Sequence, residues 1–416
     1  MSVAIPPPES VRGMKILDKE QFKLTESIPA IRLRPQLVSK YLKKLQDKLL
    51  RQPGVKHVQN CSKGDKLLLL TPSSVGGTPL SAGLVEEVAF DGGVVIDHQL
   101  TLEYHHWTMP HILKAVLPVD TREIPSSFET IGHIAHLNLP SELTEYKNLI
   151  GQVLLDNNPQ IRTVVNKTNS IDETFRFFKM EVLAGDDDLM ATMKENGCQF
   201  TFDYSKVYWN SRLATEHRAL VGLFHPGDIV LDVFAGVGPF SLPAAKKGCI
   251  VHANDLNPAA FHSLQSNAEI NKLPIQCYNM DGRDFIRKMA TDVMCNPSQQ
   301  KPIHIIMNLP ASAVEFLDVF HSLTIQSRPT IHCYHFSKAE DAKKDTVDVV
   351  NKTLGVTLAD GSFTIHQVRD VAPKKLMVRI SFELPLLILP HQQQQKQIVG
   401  PTDDTPSSKR SKLDQS

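Results

Sequence analysis

From residue 211 to about 390 the apolar positions change period repeatedly. Short β-branched runs that suit buried strands alternate with stretches spaced three and four apart that suit helices. The strand-like runs are Ile229 to Phe234, Ile250 to Ala253, and the segments PIQCYNM, PIHIIMN and TIHCYHF. The region closes with TIHQVRDVAP and KLMVRISFEL, which read as a hairpin. Strand–helix–strand rhythm of this kind predicts an α/β domain with a parallel sheet. One helix is expected from Ser211 to Phe224, with Leu213, Leu220, Val221 and Phe224 as its apolar stripe.

Upstream the pattern differs. In ETIGHIAHLNL, alternation places Ile131, His133, Ala135, Leu137 and Leu139 on one side of a strand. A helix is expected in LTEYKNLIGQVLLDN, and strands in RTVVNKT, FRFFKMEVLAG and FTFDYSKVYW, which together read as a small α+β domain. Nearer the start, SKYLKKLQDKLLR (39–51) predicts an amphipathic helix with Leu42, Leu45, Leu49 and Leu50 in a stripe. Gly-Gly pairs at 76–77 and 92–93 mark turns. The tail from 391 is polar and low in complexity and is expected to be disordered; its KRSK is a weak nuclear signal.

Composition narrows the classes. Of 416 residues 41% are hydrophobic and 22% charged, which excludes wholesale disorder. No apolar run approaches the roughly 18–20 residues of a membrane span. Six scattered cysteines form no CxxC pair, which argues against a zinc ribbon or a disulfide scaffold and gives no reason to expect a metal. The first residues lack an apolar signal core and an amphipathic presequence, so an intracellular soluble protein is expected. The 45 basic and 45 acidic residues cancel, but not locally. Residues 1–66 hold 14 basic against 6 acidic, residues 67–205 hold 8 against 19, and the remainder 23 against 20. The basic first block suits either a solvated helix face or a phosphate-binding surface.

The chemistry concentrates in DIVLDVFAGVGPFSLPAAKKGCIVHANDLNP. A strand runs into Ala235-Gly236-Val237-Gly238, then a helix opened by Pro239; a second strand ends at Asn254-Asp255, 17 residues beyond Gly238. Glycines allow close approach of a cofactor, and an acid closing the second strand can accept from ribose hydroxyls. Ser241 replaces the third glycine of the dinucleotide fingerprint, and Asp232 suits a ligand with an ammonium group better than a pyrophosphate. These features favour S-adenosylmethionine over a nicotinamide dinucleotide, the reading of a different class. Polar residues follow four successive strands, the last sets being Asp281-Gly282 and Asn308-Leu309-Pro310.

The blocks VYWNSRLATEHRAL, LDVFAGVGPFSLPAAKKG, ANDLNP, MDGRDF and MNLPASAVEFL, in this order and spacing, resemble the archaeal and eukaryotic tRNA (guanine-N1)-methyltransferases, which modify guanosine 37 beside the anticodon. The resemblance covers residues 127 through 385. It implies a class I S-adenosylmethionine-dependent methyltransferase (Rossmann-like) domain at 206–390, preceded by two smaller α+β domains. These are a tRNA-binding domain at 1–105 and a domain packing on the active site at 106–205. By block, cofactor contacts fall on His217, Asp255, Leu256, Asp281, Gly282 and Asn308, the general base on Glu216 and an assisting arginine on Arg176. The resemblance further implies tRNA as partner, a role in reading-frame maintenance, a monomer with no obligate protein partner and no membrane, and residence in cytoplasm and nucleus with a mitochondrial matrix pool. A related enzyme of wyosine-base synthesis, which transfers an aminocarboxypropyl group from the same cofactor, is the nearer alternative.

The reaction needs such residues. Guanine N1 carries a proton, so a base must remove it as the bond to carbon forms while negative charge gathers on O6. Helical spacing puts Glu216 and His217 beside Leu213 on the inward side, where a carboxylate is partly desolvated. Without the resemblance Glu216 reads as a helix-surface residue and His217 as a half-buried histidine. Arg176 shares a strand face with Phe178, Met180 and Val182, where a charge needs a partner or an exit to solvent. Asn308 and Pro310 could fix the guanine edge through an amide and a backbone carbonyl. Tyr208 or Trp209 could stack on the base, although an aromatic before a helix is more often a core staple. Phosphate contacts are expected from Lys43, Lys44 and Lys48.

Overall fold

A computed structural model describes residues 5–61, 64–73, 80–125, 127–171, 178–296 and 300–385. Arg176, the glycine pair at 76–77 and the tail from 391 lie outside the described residues. The chain divides into two compact units, Met1–Ser170 with Lys179–Leu189, and Ile171–Phe178 with Met190–Ser416.

The first unit opens with strands β1 (Leu24–Leu33), β2 (Val58–Asn60), β3 (Lys66–Leu69) and β4 (Val94–Leu102), paired in the order β2-β3-β1-β4. Both faces of this sheet are covered. Ile31, Leu33, Leu68 and Leu70 pack with Tyr41 of helix α1 (Val38–Lys44) and Val88 of α2 (Ala82–Phe90). Ile28, Ala30, Leu67 and Leu69 face the other way, into a core that also holds Ile112 and Leu113 of α3 (Met109–Val116). The same core holds Ile150 and Leu154 of α4 (Lys147–Asn157). A second sheet follows: β5 (Glu129–Ile131), β6 (Ile134–Leu137), β7 (Thr163–Ile171) and β8 (Phe178–Gly185), in sequential order.

Two local expectations fail here. The helix over 39–51 stops at Lys44, because Leu50 N–H donates to Leu69 and Leu49 bridges Leu70: sheet pairing takes the second half of the leucine stripe. A helix this short is marginal alone, so tertiary pairing decides its length. The ETIGHIAHLNL strand is in fact a hairpin, since Gly132 takes a left-handed φ of +59° and β6 folds back on β5. The phosphate expectation also changes: Lys44 pairs with Glu87 of α2, and Lys40 at 2.5 Å with Asp91 at its C-terminal end, so acids of this helix and its cap neutralise part of the basic block.

The second unit begins with the hairpin β9 (Met190–Glu195) and β10 (Cys198–Asp203); the expected strand over FTFDYSKVYW ends at Asp203. After α5 (Ala214–Gly222) comes an alternation of β11 (Ile229–Asp232), α6 (Ser241–Lys246), β12 (Ile250–Asn254), α7 (Pro258–Asn271) and β13 (Ile275–Tyr278). It continues through α8 (Gly282–Met289), β14 (Ile303–Met307), β15 (Thr330–Ser337), α9 (Ala342–Leu354), β16 (Phe363–Ala372) and β17 (Lys375–Glu383). The seven strands are ordered β13-β12-β11-β14-β15-β17-β16. The first five run parallel, and the closing hairpin is antiparallel, as the sequence predicts. Strand order reverses between β11 and β14, the switch point where open α/β sheets bind ligands. Helix α6 starts at Ser241, so Pro239 sits in the preceding turn and does not open the helix.

The two faces of this sheet are chemically unlike. Ile229, Leu231, Ile305, Ile331, Cys333, Ile380 and Phe382 face an apolar core with α8 and α9. The alternate positions carry Asp232, His304, His332, Tyr334, Arg379 and Ser381, all buried except the half-buried His304.

Candidate active site

At the strand ends, Asn254 holds the loops together. Its Nδ2 donates to Val233 O at 3.1 Å and Met280 O at 3.0 Å, and its Oδ1 accepts from Met280 N at 3.1 Å. One buried amide thereby fixes the turns after β11, β12 and β13. The next residue, Asp255, accepts from Gly236 N–H at 2.8 Å through Oδ2 and from Asn257 N–H at 2.9 Å through Oδ1. Burial raises its carboxyl above the usual range, against the pull of those two amides. Leu256 is half exposed beside it.

The glycine turn divides its work. Gly238 at φ +98° faces Leu242 and Leu264, so it serves packing. Gly236 at φ +55° has no protein atom within 4 Å of where a Cβ would stand, so the turn opens into space there. Asp281 caps α8, Oδ1 accepting from Arg283 N–H at 2.8 Å. Gly282, which the resemblance gave to the cofactor, has a packing reason of its own: a Cβ would lie 2.9 Å from Phe234 and 3.1 Å from Phe316. Two buried acceptors at these strand ends take no hydrogen bond among the described residues, Oδ1 of Asp232 and Oδ1 of Asn308. An open glycine turn, an unpaired carboxylate oxygen and an unpaired amide oxygen fit a ligand that carries an ammonium group and further donors.

Helix α5 supplies the other wall. Glu216 is 4% exposed and His217 is 3% exposed, so the inward placement expected from helical spacing holds for both. His217 Nδ1 lies 2.7 Å from Oε1 of Glu195 on β9, and its ring meets Phe240 edge-on, 4.7 Å between centroids. Phe240 in turn lies 6.0 Å from the ring of Tyr334. Glu216 Oε1 accepts from Tyr334 Oη and from Arg379 Nε, each at 2.7 Å. Oε2 lies 3.1 Å from Nε2 of the half-exposed His366, off the line of a hydrogen bond, and accepts none among the described residues.

Of the substrate candidates, Tyr208 is 51% exposed, whereas Trp209 is a core residue stacked on Phe202 at 5.1 Å. The Pro310 carbonyl already accepts from Phe336 N–H at 2.9 Å, which leaves it one lone pair for anything else. Asn308 is half buried beside it.

Sequence reasoning missed Arg379, Tyr334, Glu195 and the structural role of Asn254. Arg379 did leave a signal: a charge between Val378 and Ile380 in an otherwise apolar run needs a buried partner.

Residues 191–357 match the TRM5/TYW2 methyltransferase domain, and residues 109–188 match the TYW2 N-terminal domain. The chain is 45% identical to the tRNA (guanine(37)-N(1))-methyltransferase of Danio rerio, over 92% of this chain and 84% of that protein. It is 39% identical to the one from Homo sapiens, over 92% of this chain and 78% of that protein. Among solved structures it is similar to Trm5b from Pyrococcus abyssi, with TM-score 0.57, 25% identity, and coverage of 86% of this chain and 99% of the other. It shares its fold with aTrm5 solved in complex with tRNALeu, with TM-score 0.63, 21% identity and the same coverage.

Proposed function

The chain belongs to the family of tRNA (guanine(37)-N(1))-methyltransferases, and from that membership we propose its reaction in residue terms. It transfers a methyl group from S-adenosylmethionine to N1 of guanosine 37 in tRNA. The observation that carries the residue assignment is the enclosed Glu216 carboxylate, whose Oε1 accepts two hydrogen bonds while Oε2 accepts none among the described residues and lies 3.1 Å from His366 Nε2. Relatives at 39–45% identity carry the methyltransferase name, which disfavours both the aminocarboxypropyl transfer and the nicotinamide chemistry.

When bound, S-adenosylmethionine supplies a methyl group already activated on a sulfonium. Asp255 would accept from its ribose hydroxyls, Leu256 would cover the adenine, and Asp281 would accept from the adenine amino group beside Gly282. The open face of Gly236 gives room for close approach, and Oδ1 of Asp232 is an acceptor for the ammonium group. His217 lines the same wall, its orientation set by Glu195. Asn308 Oδ1 and Pro310 would hold the guanine edge, and Tyr208 offers an exposed ring for stacking. Glu216 takes the N1 proton as the new bond forms, and Arg176 is the cation assigned to O6. Alignment and proton removal are what remains for the protein to supply. The enzyme works as a monomer on tRNA, in cytoplasm and nucleus with a mitochondrial pool, a reading supported by family resemblance.

Single-turnover methylation of tRNA transcripts with guanosine or adenosine at position 37 tests the substrate, and mass spectrometry of the nucleoside identifies the group transferred. Glu216→Gln is expected to bind tRNA normally and to lose about two to four orders of magnitude in methyl transfer. Full activity of that variant removes Glu216 as the base.

A further inference from the structure

The donors that hold Glu216 come from strands at the closing end of the sheet. Tyr334 on β15 and Arg379 on β17 are cross-strand partners, so one register sets both donors on Oε1. The ion pair is deeply enclosed, its side chains 4% and 7% exposed. A buried carboxylate with no counter-charge favours its neutral form, which cannot accept a proton. The guanidinium supplies that counter-charge.

Arg379 is itself held from behind. Its Nη1 donates to Ser381 Oγ at 2.9 Å. Ser381 Oγ is 2.8 Å from His332 Nδ1, and His332 Nε2 is 3.2 Å from His304 Nδ1. His304 Nε2 lies 3.4 Å from Oδ2 of Asp228. A guanidinium can only donate, so the Ser381 hydroxyl is free to donate to His332, and each imidazole then turns its N–H toward Asp228. That direction requires neutral rings, and burial pulls both His332 and His304 below the ordinary histidine range. A cation at one end and a carboxylate at the other orient every bond between them.

We propose that Arg379, with Tyr334 beside it, is a positioning residue for proton transfer: the pair fixes Oε1 of Glu216 and leaves Oε2 as the oxygen that takes the proton. The inference rests on the assignment of Glu216 as base. The atoms balance: N1 bonds to the methyl carbon, the carbon–sulfur bond breaks with its electron pair on sulfur, and the N1 proton passes to Oε2. The ionisable groups facing Glu216 are Tyr334 from β15, Arg379 from β17 and His366 from β16; its neighbour His217 is engaged with Glu195.

The test is the pH profile of single-turnover methyl transfer to a guanosine-37 transcript. It compares the parent enzyme with Arg379→Gln, Arg379→Lys and Tyr334→Phe, each also in a His366→Gln background so that the imidazole is not read as the carboxylate. Thermal melting and S-adenosylmethionine calorimetry on the same samples report folding. Arg379→Gln is expected to move the acid limb to higher pH and lower the plateau rate by about tenfold or more. Arg379→Lys should bring the limb back toward the parent position, and Tyr334→Phe should shift it less, in the same direction as Arg379→Gln, with KM for tRNA unchanged. A loss by one factor at every pH, or a lysine variant no better than glutamine, overturns the positioning role while the base assignment stands. An active Glu216→Gln enzyme overturns the base assignment instead.

Discussion

Ser241 donates its hydroxyl to Oδ2 of Asp232 at 2.6 Å, tying the end of β11 to the first residue of α6. This position lacks the third glycine of a dinucleotide site, and its serine donates to a fully enclosed carboxylate that also takes a hydrogen bond from the Phe234 backbone. Burial, with Asp255 nearby, pushes the Asp232 carboxyl up to about 7, although the Ser241 hydroxyl pulls the other way.

A raised carboxyl makes a signed prediction. The folded state holds its proton up to about pH 7, while the unfolded chain releases it near its ordinary value of 3.8. Stability therefore falls as pH rises from about 4 to about 7, by an amount on the order of 4 kcal/mol from this group. Asp232→Asn keeps an acceptor for Ser241 and removes the titration. Denaturant unfolding of the cofactor-free protein should show the variant equal to the parent near pH 4 and more stable near pH 8. Its affinity for S-adenosylmethionine should fall by about tenfold, worth roughly 1.4 kcal/mol. A variant no more stable at high pH would mean that Asp232 is ionised without penalty.

The two glycines of the turn should fail differently. Alanine at Gly238 would overlap Leu242 and come within 2.8 Å of Leu264, at a φ of +98°. Overpacking and strain together should cost about 3 kcal/mol, seen as a lower melting temperature with or without cofactor. Alanine at Gly236 meets no protein atom within 4 Å and takes a left-handed φ of +55°, a cost of about 1–2 kcal/mol. Its methyl stands in the space assigned to the cofactor, so calorimetry should show weakened S-adenosylmethionine binding in a protein that still folds. Equal cofactor affinity in Gly236→Ala and the parent would move the binding site away from this turn.

The α/β half was legible in the sequence because its signals are local. Buried parallel strands read as apolar runs, and the polar residues at their ends follow directly in the chain. Helix α5 was legible for the same reason, with Glu216 and His217 on its inward side, but the depth of their burial was not: without the resemblance Glu216 reads as a helix-surface residue, and it is 4% exposed. What surrounds Glu216 was not legible: Tyr334 lies 118 residues away and Arg379 163 residues away, and only the sheet register brings them together. The helix over 39–51 was misread because half its leucine stripe serves strand pairing, a choice made by β3 and not by local spacing. The assignment of Arg176 rests on resemblance alone, and the residue lies outside the described residues.

Tyr208 and Trp209 are adjacent aromatics with opposite environments, and substitution should separate their roles. Trp209 is 7% exposed and packs on Phe202 and Phe200 at 5.1 and 5.4 Å between centroids. Trp209→Ala should destabilise the fold by about 3–5 kcal/mol, and any loss of activity should follow that loss of stability. Tyr208 is half exposed, its recorded polar contact being the Nδ2 of Asn210, which donates to its hydroxyl at 3.2 Å. Tyr208→Ala should change stability by less than about 0.5 kcal/mol. If its ring stacks on the target base, the variant loses about 1–3 kcal/mol of tRNA interaction, read as a higher KM for tRNA at unchanged cofactor affinity. Tyr208→Phe should restore that KM, because the ring face and not the hydroxyl would carry the contact. A KM unmoved by Tyr208→Ala would leave the ring without a part in substrate binding.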